Sequence, residues 1–419
     1  MPAIPKPPAF ASAGYAARIA FVVELAEHLH AYGTTAQRLE GALIAVSTEL
    51  GLDCEPMANP TGMVLSFSDS LSPTGETDTT RVLRMPPGDT DLAKLCEVDR
   101  VAEEVMAGRL GIGEGHAALR LLETLPTRRG NLVQVFGFGL AAAAIAGLLR
   151  LPWLDIATAG TAGLLIGVLE LASRCRPQVR EAGEVLSALI AGFVAILVAA
   201  YVAPLNLNTV IIAALIVFVP GMTLTNAVNE LTSQHLVSGT ARFAGALATL
   251  MKLTVGSALA LAVAHMVGIE PQVRALRPQP ALVEGAALVL ASYSFAVLFR
   301  ARGRDYPVVM LAAIGGYLVA RVGSELWGGQ AGIFLSALLM TAAGNGYARW
   351  AGRPGALVRV PGILMLVPGS ASLRGVMTAV QQQDASLGQL AAMGVLNILL
   401  AIVAGLLLGN LLLPTRRHL

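Results

Sequence analysis

Two hydrophobic patterns divide this chain near residue 128. Before that point, apolar positions are periodic over short stretches. Ile19, Val22, Val23, Ala26 and Leu29 recur on one helical face and predict a helix over Tyr15–His30. Tyr32-Gly33-Thr34-Thr35 reads as a glycine C-cap followed by a new N-cap, so a second helix is expected from Ala36 to Leu50. Leu52–Met57, Gly62–Ser68 and Thr80–Met85 are short runs bounded by Pro, Gly and Asp clusters, as strands are. Pro87-Gly88-Asp89 opens a helix to about Ala107, and Gly113–Thr124 forms another. From Asn131 the apolar runs lengthen. Each is then long enough to cross a hydrocarbon core of about 30 Å, which takes about 20 residues. Ten are read, at 131–149, 153–171, 183–203, 207–227, 243–267, 281–299, 306–323, 327–347, 356–371 and 389–413.

One run is broken in a way that organises the others. Val210–Val219 is wholly apolar, Pro220-Gly221 interrupts it, and a dense polar segment follows before the next apolar run at Phe243. Inside a bilayer, a broken helix is tolerated only where its freed backbone groups are buried in protein or line a wet cavity. The interruption recurs. Val219-Pro220-Gly221 returns as Val367-Pro368-Gly369, followed by Thr223 and Thr225 in one copy and Ser370 and Ser372 in the other. Each copy falls in the fourth run of a group of five. Two groups of five lie in opposite orientations, the plan of many secondary transporters, whose sites form at discontinuous helices.

The expected fold is therefore a polytopic α-helical membrane protein. Its ten transmembrane helices form two inverted five-helix repeats, preceded by an N-terminal soluble α+β domain. The expected boundaries are a Pro-rich tail at 1–14, a cytoplasmic α+β domain at 15–127, five-helix modules at 128–278 and 279–413, and a cytoplasmic tail at 414–419. On this arrangement the first break lies toward the cytoplasm and the second toward the outside.

Composition agrees with the hydrophobic pattern. Only 13% of residues are charged and 55% are hydrophobic, against roughly 25% charged in soluble domains. Basic residues are distributed unevenly between the loops. Arg128–Arg129, Arg174–Arg180, Arg242, Arg300–Arg304, Arg349–Arg359 and Arg416–Arg417 fall on the side of the N-terminal domain. Only Arg150, Arg274, Arg277, Arg321 and Arg374 fall opposite. The positive-inside rule then puts both termini in the cytoplasm and the protein in the cytoplasmic (inner) membrane as a multi-pass chain. No charged region leads into an apolar one at the start, so no cleaved signal peptide is expected. There is no basic stripe with interleaved aromatics, and no nucleic-acid partner is expected. Cys54, Cys96 and Cys175 are widely spaced, which indicates neither a disulfide framework nor a zinc site.

The segment after the first break carries the candidate chemistry. On a helix Thr223, Asn226 and Glu230 share one face, with Thr225 and Asn229 nearby. Such a face suits the ammonium and hydroxyl of a small amino acid, while free N–H groups at a half-helix start attract a carboxylate. The alternative is that Thr and Asn satisfy backbone freed by Pro220, with Glu230 at the cytoplasmic surface. Imidazole is the side chain that titrates near neutrality, so His235 reads as either a proton carrier or a loop histidine. Ser238 reads as a helix cap, and Arg242 as an inner-interface anchor or an anion-attracting group. Lys252 falls near mid-membrane, where a charge costs several kcal/mol and usually marks a functional path. Its candidate partners are Glu170, Glu184 and Glu230, and snorkelling is the alternative.

The candidate substrate contacts are thus Thr223, Thr225, Asn226, Asn229, Ser370 and Ser372. Coupling of protons or charge is assigned to Glu230, His235 and Lys252, and the helix breaks to Pro220, Gly221, Pro368 and Gly369. The second copy has no acidic counterpart of Glu230. In the first 127 residues, Arg38 and Glu40 either pair or bind a ligand, but two positions apart on a helix they face differently. GxSxG, HExxH and P-loop motifs are missing from the sequence. No catalytic residue, cofactor or metal is expected, and the chain is read as a non-enzyme.

Pro220-Gly221-x-Thr223-x-Thr225-Asn226-Ala227-x-x-Glu230-Leu231, followed by His235-Leu236-Val237-Ser238-Gly239-x-Ala241-Arg242, closely resembles the signature of the threonine/serine exporter family. Gly33 with Arg38-x-Glu40 resembles that family's other recurrent element, and Leu366-Val367-Pro368-Gly369-Ser370 its second five-span module. The resemblance covers about residues 15–413, the fused form with both modules. It implies a cytoplasmic-membrane exporter of small hydrophilic metabolites, driven by the proton gradient, with threonine or serine as substrate. Some relatives made of two polypeptides are linked to succinate export, which is the alternative substrate class. A membrane-anchored hydrolase acting through the N-terminal domain is the other alternative, since that domain has been suspected of hydrolase-like character. Implied partners are the small-molecule substrate, protons and the lipid bilayer, with homo-oligomerisation left open. The chain departs from the family pattern at Ala36, often Thr, and at Gln234, often Gly.

Overall fold

The computed structural model describes residues 14–69, 78–123, 127–174, 176–275, 278–367, 369–382 and 385–414. Pro368, Cys175, Arg277, Arg416, Arg417 and residues 1–13 of the tail expected at 1–14 lie outside the described residues. The chain begins with helices α1 (Tyr15–Ala31) and α2 (Ala36–Glu49), a hairpin and third strand β1 (Leu52–Asn59), β2 (Gly62–Asp69) and β3 (Thr79–Arg84), then helices α3 (Leu92–Met106) and α4 (Ile112–Arg120). Gly33, at φ +82°, turns the chain between α1 and α2 in the left-handed region that glycine tolerates. The sheet is antiparallel in the order β1-β2-β3, with Leu52 opposite Asp69 and Gly62 opposite Arg84. Its Cys54, Met63, Leu65 and Phe67 are buried, and Val82 is exposed, so one face packs on the helices. Asp91 caps α3 by accepting from the Lys94 N–H at 3.0 Å.

The core of these elements is not closed off from the rest. Phe21, Leu25, Leu43, Phe67 and Val101 belong to one buried cluster with Ala296, Val309, Ala356 and Leu357, far along the chain.

The remaining chain is helical. It contains α5 (Arg128–Leu148), α6 (Trp153–Ser173), α7 (Pro177–Glu181), α8 (Gly183–Tyr201), α9 (Leu207–Ala214), α10 (Gly221–Thr232) and α11 (Leu236–Met266). Then follow α12 (Ala281–Leu298), α13 (Tyr306–Trp327), α14 (Gly329–Ala351), α15 (Ala356–Leu364), α16 (Gly369–Gln382) and α17 (Ala385–Leu412). Among the described residues, nine stretches are long and apolar enough to cross a bilayer. The run at 207–227 is not one of them, because turns at 215–218 and Pro220 divide it into α9 and α10. α15 and α16 are likewise separated around Val367, though together they form one of the nine. The outer faces are apolar: Val168, Leu197, Val255, Leu282, Leu311 and Leu390 are all exposed. Apolar surface on this scale requires a lipid surround. The protein is a polytopic membrane protein.

Helix pairs recur in the two halves. α5 packs on α6 and α12 on α13, α8 on α11 and α14 on α17, α10 on α11 and α16 on α17. Between the halves α5 meets α12 and α10 meets α16. Small residues permit these approaches. A Cβ on Gly192 would meet Ala260, and one on Gly256 would meet Ala188, joining α8 to α11. Gly405 against Ala337 and Gly409 against Thr341 join α17 to α14 in the same way.

α13 crosses α15 closely, so that a Cβ on Gly316 would run into the Gly362 carbonyl oxygen. Gly316→Ala is expected to destabilise the detergent-solubilised protein by about 1–3 kcal/mol, as overpacking does. Gly285→Ala, where an added Cβ meets nothing within 4 Å, should be neutral or stabilising by up to about 1 kcal/mol. Thermal unfolding of both variants checks the pair, and equal stability would show that this crossing has room to relax.

Candidate functional site

The two helix breaks lie against one another. A Cβ on Gly369 would sit 2.8 Å from Val219 Cγ1 and 3.5 Å from Gly221 Cα, and one on Gly221 would run into Val367 Cγ1. The expectation that they lie toward opposite sides of the membrane is corrected. The physical reason is that α10 and α16 both begin at their break, so their N-terminal ends converge on one place. Gly221 N–H donates to the Val219 carbonyl at 2.7 Å and Leu224 N–H to Pro220 at 2.9 Å, while no side chain caps α10. The positive end of the helix dipole therefore faces the junction.

Beside the junction, the candidate contacts separate into two groups. Thr225 is buried and its hydroxyl donates back to the Gly221 carbonyl at 3.2 Å, satisfying backbone at the break. Thr223, Asn226 and Asn229 are half-buried, and among the described residues their side chains carry no hydrogen bond. They are open donors and acceptors in an enclosed place. In the second copy Ser370 is half-buried and Ser372 buried with a polar interaction of its own.

Glu230 is already committed. Its carboxylate is fully buried and accepts from three sources. The Ala36 N–H donates to Oε1 at 3.0 Å, the Ser238 hydroxyl to Oε2 at 2.7 Å, and Arg242 Nε reaches both oxygens at 3.0 Å. Thr223, Asn226 and Glu230 are carried on the one helix α10, but the carboxylate is taken up by α2 and α11 rather than left open beside the amide. Ser238 is also not a cap, since α11 starts two residues earlier at Leu236. Glu230 instead holds the start of α2, where Ala36 offers one of the N–H groups that an α-helix leaves unsatisfied. A family pattern with Thr at that position keeps the same backbone donor.

His235 lies one contact away. Its Nε2 is 3.0 Å from Glu40 Oε2 and its Nδ1 3.0 Å from the Ser233 carbonyl. Glu40 Oε1 also accepts from the Ala58 N–H at 2.7 Å. The turn that delivers His235 needs a left-handed residue, and Gln234 supplies it at φ +67°. Glycine adopts that conformation without strain, which explains why the family pattern often has glycine there.

Lys252 is placed elsewhere. Its Nζ is 2.8 Å from Glu184 Oε2 in the first turn of α8, and 47% of its side chain is exposed. Of its three candidate partners, only Glu184 meets it. α11 begins so early that Lys252 lies at the level of the start of α8 rather than midway along it, and it does not join Glu230 or His235.

Two further arginine arrangements involve Arg38, which the sequence offered as a ligand group or a partner of Glu40, and Arg353 and Arg359, which it assigned only to membrane orientation. Arg38 is enclosed between α2 and the neighbouring elements, where burial pushes its pKa below the usual guanidinium range and Asp99 partly offsets that. Arg359 on α15 is near enough to Arg38 for the two like charges to repel. Arg353 forms a bidentate pair with the buried Asp305. The signal for Arg359 was weak, because it stood in a cluster of arginines already explained by membrane orientation.

Glu230 is the group whose loss should disturb most. Glu230→Ala leaves Arg242 and the Ala36 N–H without their acceptor, and breaking a buried pair costs about 3–5 kcal/mol. The expected result is a lower melting temperature and faster amide exchange across residues 34–40. Adding Arg242→Ala should recover part of the loss. Unchanged exchange would mean that α2 is held by its apolar contacts alone.

A family model described as "Putative threonine/serine exporter" matches residues 20–264, and a second, "Threonine/Serine exporter, ThrE", matches residues 284–412. A "Probable threonine/serine exporter" of Mycobacterium tuberculosis is 23% identical over 356 residues, 78% of this chain and 64% of that protein. "Pheromone-regulated membrane protein 10" of Pichia sorbitophila is 22% identical over 380 residues, 87% of this chain and 37% of the relative. The protein of that name from Eremothecium gossypii is 24% identical over 395 residues, 87% of this chain and 50% of the relative. The chain thus spans between about a third and two thirds of these relatives' length. No solved structure matches. With both models matched in order and the first covering more than half of the sequence, the chain belongs to the threonine/serine exporter family.

Proposed function

We propose that this protein is a secondary active exporter of threonine, serine or a similar small hydrophilic metabolite, driven by the proton gradient. The observation that carries the proposal is the meeting of the two helix breaks beside uncommitted polar side chains. Helix starts converging on one point offer N–H groups and positive dipole ends to a carboxylate. Thr223, Asn226 and Asn229 offer hydroxyl and amide groups to an ammonium and a hydroxyl, and Ser370 and Ser372 complete the set from the opposite helix.

The packing supports an inverted-repeat reading, with α5–α11 and α12–α17 as the modules and α9–α10 and α15–α16 as the broken fourth spans. That reading restores ten spans, with the boundaries at 128–278 and 279–413 and the N-terminal α+β elements as a cytoplasmic domain. The arginine distribution supports cytoplasmic termini in an inner membrane. Proton handling falls to the His235–Glu40 pair, which is half-buried, with Glu230 and Lys252 in charge compensation at their own pairs.

A dicarboxylate such as succinate is the second reading. It is favoured by Arg38 and Arg359, two mutually repelling cations for which a doubly charged anion is the natural counterpart. Counterflow in proteoliposomes, with serine, threonine and succinate as competitors, separates the two. Equilibration without accumulation against a gradient, with or without an uncoupler, would replace active export by passive facilitation. Asn226→Ala should lower efflux about tenfold or more, the effect of losing a hydrogen bond worth about 1.4 kcal/mol in the transport barrier. Insertion and abundance should be unchanged. Normal efflux by that variant would remove the segment from the substrate path.

A further inference from the structure

The N-terminal elements hold a group of side chains that the transport reading does not use. Glu24, Glu27 and His28 occupy successive turns of α1, and Glu123 ends the short 3-10 turn Leu121–Glu123 that follows α4. One carboxylate oxygen of Glu24, one of Glu123 and a ring nitrogen of His28 lie within 4.8 Å of one another. Ligands about 2.1 Å from a common ion stand roughly 3–4 Å apart, so small side-chain rotations close this set.

His28 gives the independent observation. The residue is 5% exposed, and its Nε2 is buried without a hydrogen-bond partner. Its Nδ1 lies 3.2 Å from the Tyr32 hydroxyl. If Nδ1 carries the proton and donates it to Tyr32, the Nε2 lone pair points toward Glu24 Oε1, 3.5 Å away. Two acceptors facing each other in a buried place repel, and a cation between them removes the repulsion. An orphaned buried imidazole nitrogen is costly when empty and is the commonest metal ligand when filled.

The surroundings support the same assignment. Glu24 Oε2 is 3.1 Å from His116 Nε2, which orients the carboxylate from behind as outer-shell partners do. Arg120 Nε is 3.8 Å from Oε1, but its side chain is 66% exposed and free to withdraw. A cavity of about 390 Å³ adjoins the group and is lined by Glu27, His28, Asp89, Asp91 and Glu123 among others.

We infer that Glu24, His28 and Glu123 form a binding site for one divalent transition-metal ion, reached through this cavity. The donor set of one imidazole and two carboxylates suits manganese or zinc better than the all-oxygen sites of magnesium and calcium. The sequence expectation of no metal is revised on this point, because no metal-ligand spacing spans the 95 residues from His28 to Glu123. The ion would tie α1 to the turn after α4.

The test uses the full chain in detergent, stripped with a chelator and titrated with manganese by electron paramagnetic resonance and with zinc by calorimetry. One ion per chain is expected, accompanied by a rise in melting temperature. Glu123→Gln should weaken binding by about tenfold or more without altering the fold, because Glu123 is exposed. His28→Gln should do the same. If that buried change unfolds the protein, Glu24→Gln and Glu123→Gln still decide the matter. Glu49→Gln, an exposed residue on α2, should change nothing. Absence of stoichiometric binding by the unmodified chain, or affinity in Glu123→Gln and Glu24→Gln unchanged from that of the unmodified chain, would overturn the assignment and leave only an ion-pair network.

Discussion

Everything on the first-half side of the structure depends on one desolvated carboxylate. Glu230 has no solvent contact and is reached by a backbone N–H, a hydroxyl and a guanidinium. Those donors come from α2 and α11, and Glu230 itself from α10, so three elements converge on one charge. The magnitudes decide its importance. Breaking one partner of such a buried pair costs about 3–5 kcal/mol, whereas an exposed pair such as Lys252–Glu184 contributes about 0–1 kcal/mol. α10 is therefore fixed at its far end to the N-terminal elements while its near end stays open at the break.

That arrangement separates two jobs within twelve residues. The last turn of α10 is committed to structure. The first turns keep Thr223 and Asn226 uncommitted and half-buried on the way from the start of α16, and Asn229 stays half-buried further along. Small residues make this juxtaposition feasible, because side chains on Gly221 or Gly369 would displace Val367 or Val219. A site that must bind and release a polar solute needs a rigid frame and groups not already satisfied by the protein. On the proposed transport reading, the Pro-Gly breaks would provide the second and Glu230 the first.

Much of the fold was legible in the sequence. The periodicity from Ile19 to Leu29, the strand runs and the long apolar stretches each correspond to an element, because they depend on local spacing alone. The broken fourth run was legible as a break, and the repeat paired it with the second break as two parts of one pathway; the contact of Gly221 with Gly369 itself depends on packing between the halves, which hydropathy does not encode. Glu230 shows the limit most clearly. Spacing places it on one helix face with Thr223 and Asn226, yet says nothing of what that face meets. Its partner Ala36 is 194 residues earlier, and Glu40 meets His235 across 195. The two recurrent segments were each noticed in the sequence; that they bind each other was not readable from either.

Their contact has a consequence for movement. The N-terminal elements touch both halves, but by different physics. Toward α10 and α11 they are held by Glu230 and the His235–Glu40 pair, which are directional and do not tolerate displacement. Toward the second half they are held by Asp91 with Arg300, Glu97 with Arg302, the Leu92 N–H on the Phe299 carbonyl, and apolar contacts at Ala296, Val309, Ala356 and Leu357. The two ion pairs are partly exposed, hence worth little, and apolar contact is non-directional. If the halves shift relative to each other, as alternating access requires, slip is cheaper on the second-half side. The N-terminal elements and α10 then travel as one body, and the junction of the two breaks is the place where the relative motion is felt.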